Sequence, residues 1–169
     1  MAELSLWLDY YDDIYSDFDS RNYLKRRISD DFIFELRNAM KDMKNKFTDI
    51  VLLLPEEKRD RLNEKNLSES LKNYFIAQFR IQSDYCRHKF NQGILFGAAG
   101  ILLMIMNSII SYQGINTLPV IVLRVLMEPA GWFLLWASFD SLFYEWKEMR
   151  KESKFYRDLA EVNIQFRSS

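Results

Sequence analysis

At 169 residues the chain has the length of one domain, and 28% charged residues with a mean hydropathy of −0.24 read, on average, as a soluble protein. The net charge is −1, with 17 acids against 16 bases in residues 1–89 and 7 of each beyond, so no basic nucleic-acid-binding surface, and no nucleic-acid partner, is expected. The single cysteine, Cys86, excludes an intrachain disulfide and a CxxC site, and the single histidine, His88, excludes a multi-histidine metal centre.

The start, "MAELSLWLDYYDD", is acidic rather than basic, which argues against a secretory signal, and Ala2 argues against myristoylation. Leu4, Trp7, Leu8, Tyr11, Ile14 and Tyr15 recur at helical steps and predict a helix over residues 3–16. "DDIYSDFDSR" gathers Asp12, Asp13, Asp17 and Asp19. A calcium loop of the EF-hand type needs Asp or Asn fifth and Gly sixth, where Arg21 and Asn22 stand, so a turn ion-paired to Arg21 and its neighbours is expected, with no metal and no cofactor. Next come Lys25, Arg26 and Arg27. They read either as a solvated, ion-paired face or as contacts to anionic lipid headgroups, and are candidates for the latter.

Ser29 as N-cap, Asp30 and Asp31 in the first turn, and Phe32, Leu36, Met40, Met43 and Phe47 at three- and four-residue steps predict an amphipathic helix. "DIVLLL", residues 49–54, fits either a short buried strand or a helical turn, with Pro55 opening the next helix. Asn66 and Glu69 have capping-box spacing, and from Leu67 no Pro or Gly intervenes before Gly93. One helix of about 45 residues, roughly 65–70 Å long, is expected to run on into the apolar segment. Within it, Cys86 and His88 lack an acidic group to orient them, which argues against nucleophilic catalysis.

Between Lys89 and Arg124, 34 consecutive residues carry no formal charge. Residues 93–112, "GILFGAAGILLMIMNSIISY", make roughly 30 Å of helix, the thickness of a hydrocarbon core. "QGINTLP" is turn-like, and residues 119–141 are again apolar apart from Arg124, Glu128, Asp140 and a few serines. Arg80, Arg87 and Lys89 precede the first segment, and Lys147, Arg150, Lys151, Lys154 and Arg157 follow the second. The loop between has no base, which predicts a multi-pass protein of the cell membrane with both termini cytoplasmic. The tail continues as a charged helix to about Leu159, after which "VNIQFR" alternates like a short strand that could pair with "DIVLLL".

The expected fold is therefore an all-α membrane protein. A cytoplasmic helical domain covers 1–91, transmembrane helices cover 92–113 and 119–144 around an external turn at 114–118, and a cytoplasmic helical tail covers 145–169, with at most a short terminal strand. The bilayer itself is the first expected partner.

Arg124 and Glu128 interrupt the second apolar segment. A central arginine costs about 2.5–3.5 kcal/mol on the insertion scale, against roughly 5 kcal/mol returned by the dozen apolar residues around it, so this span is expected to need a partner. Spaced at i, i+4, the two can pair with each other, and Pro129 after them predicts a kink. On the first span Gly93, Gly97, Gly100, Met104, Asn107 and Ser111 form a small-to-polar stripe suited to close helix packing, with Gly131 as the counterpart. Folding at the turn levels residues whose numbers sum to about 231, which sets Asn107 beside Arg124, Met104 near Glu128, Gly100 against Gly131 and Gly93 against Ser138. Asn107, Arg124 and Glu128 then form an intramembrane polar cluster. It either locks the hairpin or its oligomer, or lines an ion or proton path; alternatively, residues 118–128 lie at the outer interface.

"YSDFDSRNY", "ISDDF" and "EPAGWFLLW", taken in order, resemble an uncharacterised family of small prokaryotic two-transmembrane-helix proteins with SDFD…R…Y, SDDF and EPAGWF elements. The likeness covers residues 9–166 and implies the two-span topology and no catalytic chemistry; it would place Glu128, Pro129, Gly131 and Trp132 in a family element. No nucleophile–base pair, phosphate loop or metal-ligand spacing is present in the sequence. The leading expectation is a non-enzymatic membrane protein whose cytoplasmic helices bind a protein partner or further copies of the chain, as an interaction or scaffold protein. The alternative is an oligomeric ion channel or pore-forming effector using Asn107, Arg124 and Glu128.

Overall fold

The computed structural model describes residues 2–19, 26–43 and 47–168. In chain order it contains β1 (Ala2–Trp7), a 3-10 turn (Tyr11–Ile14), α1 (Asp30–Asp42), β2 (Phe47–Leu54), a second 3-10 turn (Glu56–Lys58), α2 (Arg61–Tyr112), α3 (Leu118–Phe139), a π-helical turn (Asp140–Glu145), α4 (Trp146–Glu161) and β3 (Asn163–Ser168). The chain is mostly helical, with two helices long and apolar enough to cross a membrane. It divides into two units: residues up to Phe79 together with those from Lys154, and Arg80–Ser153.

The all-α expectation needs correcting in the first unit. Its centre is a three-stranded sheet in the order β1-β2-β3, parallel throughout. The helix predicted over residues 3–16 is the strand β1, followed by the 3-10 turn. Leu4, Leu6 and Leu8 fit a two-residue period as well as a helical one, and the strand prevails because β2 offers a full row of backbone partners from Glu3 to Trp7. The 3-10 turn is held by the Asp13 carboxylate, which accepts from the backbone N–H of Asp9 and of Tyr10 at 2.8 Å each.

One face of the sheet is the core face. Leu4 and Leu6 of β1, Ile50, Leu52 and Leu54 of β2, and Ile164 and Phe166 of β3 project to it, as alternation along each strand requires. The apolar stripes of the helices close over them: Phe32, Ile33 and Leu36 from α1, Leu67, Leu71 and Phe75 from α2, and Phe155, Tyr156 and Leu159 from α4. On α1, the Ser29 side chain accepts from the Asp31 N–H, as an N-cap should, and the helix ends at Asp42, so that Phe47 already belongs to β2. The other face mixes polar residues with Trp7, Val51 and Leu53. Arg167 donates two hydrogen bonds to Glu3 at 2.7 and 2.9 Å, running diagonally across the central strand above Val51, which is 1% exposed. Gln165 joins this network by donating to Asp49 at 3.2 Å.

Both connections in the sheet are crossovers between parallel strands. The first contains α1; the second, from β2 to β3, contains α2, α3 and α4. Both apolar segments are thus inserted between two adjacent strands of one sheet. α2 is unbroken from Arg61 to Tyr112, longer than the helix of about 45 residues predicted from the lack of Pro and Gly.

Candidate functional site: the polar cluster in the apolar hairpin

The second unit is an antiparallel pairing of α2 and α3. The turn between them holds Gly114 at φ +67°, the left-handed region that glycine enters without a Cβ penalty, and Thr117 in extended conformation opens α3, with Pro119 in its first turn. Small residues set the approach. A methyl at Gly97 would lie 2.8 Å from Ser138 Oγ, one at Gly131 would lie 3.0 Å from Met104 Cγ, and one at Gly100 would lie 3.0 Å from the Gly131 carbonyl oxygen. At Gly93 the same methyl would come within 2.7 Å of Leu142 Cγ. All four glycines therefore sit where the helices touch.

The register departs from the predicted levelling in an instructive way. Gly100 and Gly131, whose contact involves backbone atoms, meet as levelled. Side-chain contacts are displaced by about one turn: Gly97, not Gly93, faces Ser138, Met104 lies at Gly131 rather than near Glu128, and Arg124 reaches Ser111. The Cα–Cβ bonds of a helix lean toward its N-terminus. In an antiparallel pair the two sets of side chains lean in opposite directions along the hairpin, so contacts through side chains fall about four positions later than backbone heights alone suggest.

That shift decides how the polar cluster is wired. The Arg124 guanidinium donates to Ser111 Oγ at 2.7 Å, and among the described residues it makes no ion pair with Glu128, although their i, i+4 spacing allows one. Arg124 Nε, a donor, and Asn107 Oδ1, an acceptor, are both buried without a partner. Glu128 points outward and is exposed, while Met127 and Gly131 on either side of it in sequence are buried. α3 continues as helix through Pro129, which has no N–H to give the Val125 carbonyl.

At the other end of the hairpin Lys89 donates to Glu145 at 2.8 Å, and Ser141 donates to the same carboxylate at 3.3 Å. The Lys89 hydrogen bond holds the Glu145 carboxyl below its usual range. Phe90 and Trp146 pack beside this pair with ring centroids 5.6 Å apart, and the Arg150 guanidinium lies 5.0 Å from the Trp146 ring centre. Cys86 is half-buried and His88 exposed; two positions apart on a helix, they face different directions.

The remaining sequence candidates resolve as structural pairs. Arg26 donates to Asp12 at 2.8 Å and to the Asp19 carbonyl at 2.7 Å, and the Asp19 carboxylate accepts from the Arg27 N–H at 2.7 Å. Arg27 faces Asp30 at 3.5 Å. Two of the three bases proposed for lipid headgroups are thus engaged with acids, while Lys25, like Arg21 and Asn22, lies outside the described residues. Asp12 and Asp19 are joined to this basic segment and Asp13 to backbone N–H groups, and among the described residues no cluster has the make-up of a metal site.

One polar constellation had no signature in the sequence. Arg59 makes a two-pronged pair with Glu64, 2.8 Å on each prong, and also donates to the Phe166 carbonyl at 3.1 Å and to Ser168 Oγ at 3.0 Å. The Tyr11 hydroxyl donates to Glu64 at 3.0 Å and accepts from the Asp60 N–H at 2.8 Å. Ser168 also bonds Glu56. Hydrogen bonding to Arg59 holds the Glu64 carboxyl below its usual range, and burial pushes the Tyr11 hydroxyl up. The cluster lies at the carboxyl ends of the three parallel strands, where open α/β sheets generally place ligands. Here the chain's own groups bond one another, and the arrangement clasps the C-terminal strand to the start of α2. The helix start is itself capped, since the Asp60 carboxylate accepts from the Leu62 N–H at 3.1 Å.

Comparisons of the chain with protein-family models, with curated proteins and with solved structures return no match.

Proposed function

We propose that this chain is a two-span protein of the cell membrane whose sheet unit lies on the cytoplasmic side and acts there as a non-enzymatic interaction or scaffold module. The observation that carries the reading is the composition of that unit. Residues before the first apolar segment and residues after the second build one sheet around β2. β2 and β3 can pair only if both flanks occupy the same compartment, so the chain between them must cross a membrane an even number of times. α2 and α3 supply two crossings.

Exposure supports insertion. Of the most apolar 18 residues in each candidate span, only 11% are buried, which separates both segments from the core helices of a soluble protein. Side chains such as Leu102, Leu126 and Phe133 are 59%, 63% and 73% exposed and suit a hydrocarbon surround. The bases flanking the two segments, against none in the 113–117 turn, favour the cytoplasmic side for the sheet unit. The scaffold part is supported by the clasp at the strand ends, whose polar groups bind each other.

Topology is tested by cysteine accessibility with Cys86 replaced. A cysteine at position 115 should react with an impermeant reagent only from outside, and cysteines at 57 and 161 only from inside. Labelling of 57 and 161 from opposite sides would refute the reading, because the sheet could not then form. A second reading, ion conduction by an oligomer, is favoured by the unpartnered Asn107 Oδ1 and Arg124 Nε within the hairpin. Ion flux in liposomes that is lost in Asn107→Leu, in protein that still inserts, would replace the scaffold reading with that one.

A further inference from the structure

Resting on the membrane reading above, we infer that α3 and the π-helical turn after it carry a self-recognition surface, formed by Glu128, Trp132, Phe139 and Phe143, on which a second copy of this chain docks in the same orientation. Glu128 lies near the midpoint of the 22-residue α3, about 15 Å of helix from either end. It is exposed, and among the described residues no cation or donor meets it. Hydrocarbon cannot solvate a carboxylate at that depth, so the position calls for another protein surface.

The chemistry of that surface is written on the same helix. Arg124, one turn away, has five N–H donors, of which one reaches Ser111 and the Nε–H is buried with no acceptor. An under-used cation and an unpaired anion one turn apart make a pattern complementary to itself. In a parallel neighbour both sets of side chains lean the same way, so Glu128 stays one turn, about 6 Å, from the level of Arg124, a gap that an extended carboxylate and guanidinium can close between them. A two-fold axis along the membrane normal would create two such reciprocal pairs. Glu128, Trp132 and Phe139 recur at four- and seven-residue steps and so share one side of α3, and Phe143 follows in the π-helical turn. The three aromatic residues are 53%, 52% and 62% exposed. Phe139 stacks on Phe143 with ring centroids 5.7 Å apart, a preformed apolar ridge that loses little freedom on docking.

The test uses full-length protein in native membranes with Cys86→Ser. Single cysteines at Trp132 or Phe139, which keep Arg124 and Glu128 intact, should form disulfide dimers on mild oxidation at least tenfold more than cysteines at Leu123 or Ala130 on the opposite side. Glu128→Arg or Arg124→Glu should abolish the cross-link at position 139, and the double exchange should restore it, with membrane levels of each variant checked by extraction. Equal cross-linking on both sides overturns the proposal. So does a monomer mass in nanodiscs with no dimer at 132 or 139, which would leave Glu128 to a different membrane protein or to snorkelling. Position 115 labelled from outside, combined with no cross-link, sinks this proposal alone; wrong-sided labelling sinks the membrane reading beneath it.

Discussion

Gly100→Ala probes a close approach of the hairpin's two backbones. The added methyl would lie 3.0 Å from the Gly131 carbonyl oxygen, 3.1 Å from Leu135 Cγ and 3.2 Å from Leu134 Cβ. The oxygen is backbone and cannot rotate aside, so α2 and α3 must separate by a few tenths of an ångström along this stretch. Two terms compete. Alanine is favoured over glycine inside a helix by about 0.8–1.0 kcal/mol, while overpacking a close contact costs typically about 1–3 kcal/mol. The second term is the larger here because three neighbours are crowded at once, which gives a net loss of about 1–2 kcal/mol. Gly93→Ala is the comparison, because its neighbours are side-chain atoms. Its methyl would lie 2.7 Å from Leu142 Cγ, which a change of rotamer can relieve, and 3.2 Å from Ser141 Cβ, which it cannot, so this variant should also lose stability, but less than Gly100→Ala. Both are compared in mild detergent by titrating a denaturing detergent and following tryptophan fluorescence, with thermal aggregation as a second readout. Gly100→Ala as stable as native protein, or less affected than Gly93→Ala, would refute the reasoning that backbone contact sets the hairpin's stability.

The clasp and its titration give further outcomes. Arg59→Met should cost on the order of 2–4 kcal/mol, because Glu64 is left largely enclosed without its cation. Arg59→Lys should recover only part of this, since an ammonium cannot reproduce the fork that spans Glu64, Phe166 and Ser168; hydrogen exchange in β3 should accelerate in both. Glu64 has its folded pKa lowered by Arg59, so its contribution is complete above the unfolded carboxylate value of about 4.3 and is lost as pH falls through the lower folded value. Urea midpoints followed from pH 7 to 3 should therefore fall more steeply for native protein than for Glu64→Gln, and parallel curves would remove Glu64 from the acid response.

Periodicity and charge within the chain were enough to locate the two apolar helices, the turn at Gly114, the N-cap Ser29 and the glycine stripe. These depend on residues near one another in sequence, or on a fold-back whose centre the turn residues mark. The helix predicted over residues 3–16 is wrong for the same reason, being a strand and a 3-10 turn. Leu4, Leu6 and Leu8 satisfy a strand as well as a helix, and only the presence of β2 as a neighbour selects the strand. β2 and β3 were legible as possible strands, but their parallel pairing across the whole hairpin was not, because no local signal joins Leu52 to Phe166.

The polar residues divide along the same line. Their presence in the second span was plain from composition, whereas their partners depended on side-chain lean. The levelled register put Asn107 beside Arg124; displaced by about one turn, the contact goes to Ser111 and leaves Glu128 facing outward. The clasp of Tyr11, Arg59, Glu64 and Ser168 had no spacing to announce it, since it exists only once three parallel strands end side by side. Sequence alone determined which segments are apolar or punctuated and where the two long helices run, because those properties are summed over neighbouring residues. Tertiary structure alone decided which of the charged groups found a partner, because pairing is settled by ångström-scale placement of groups that stand as much as 164 residues apart.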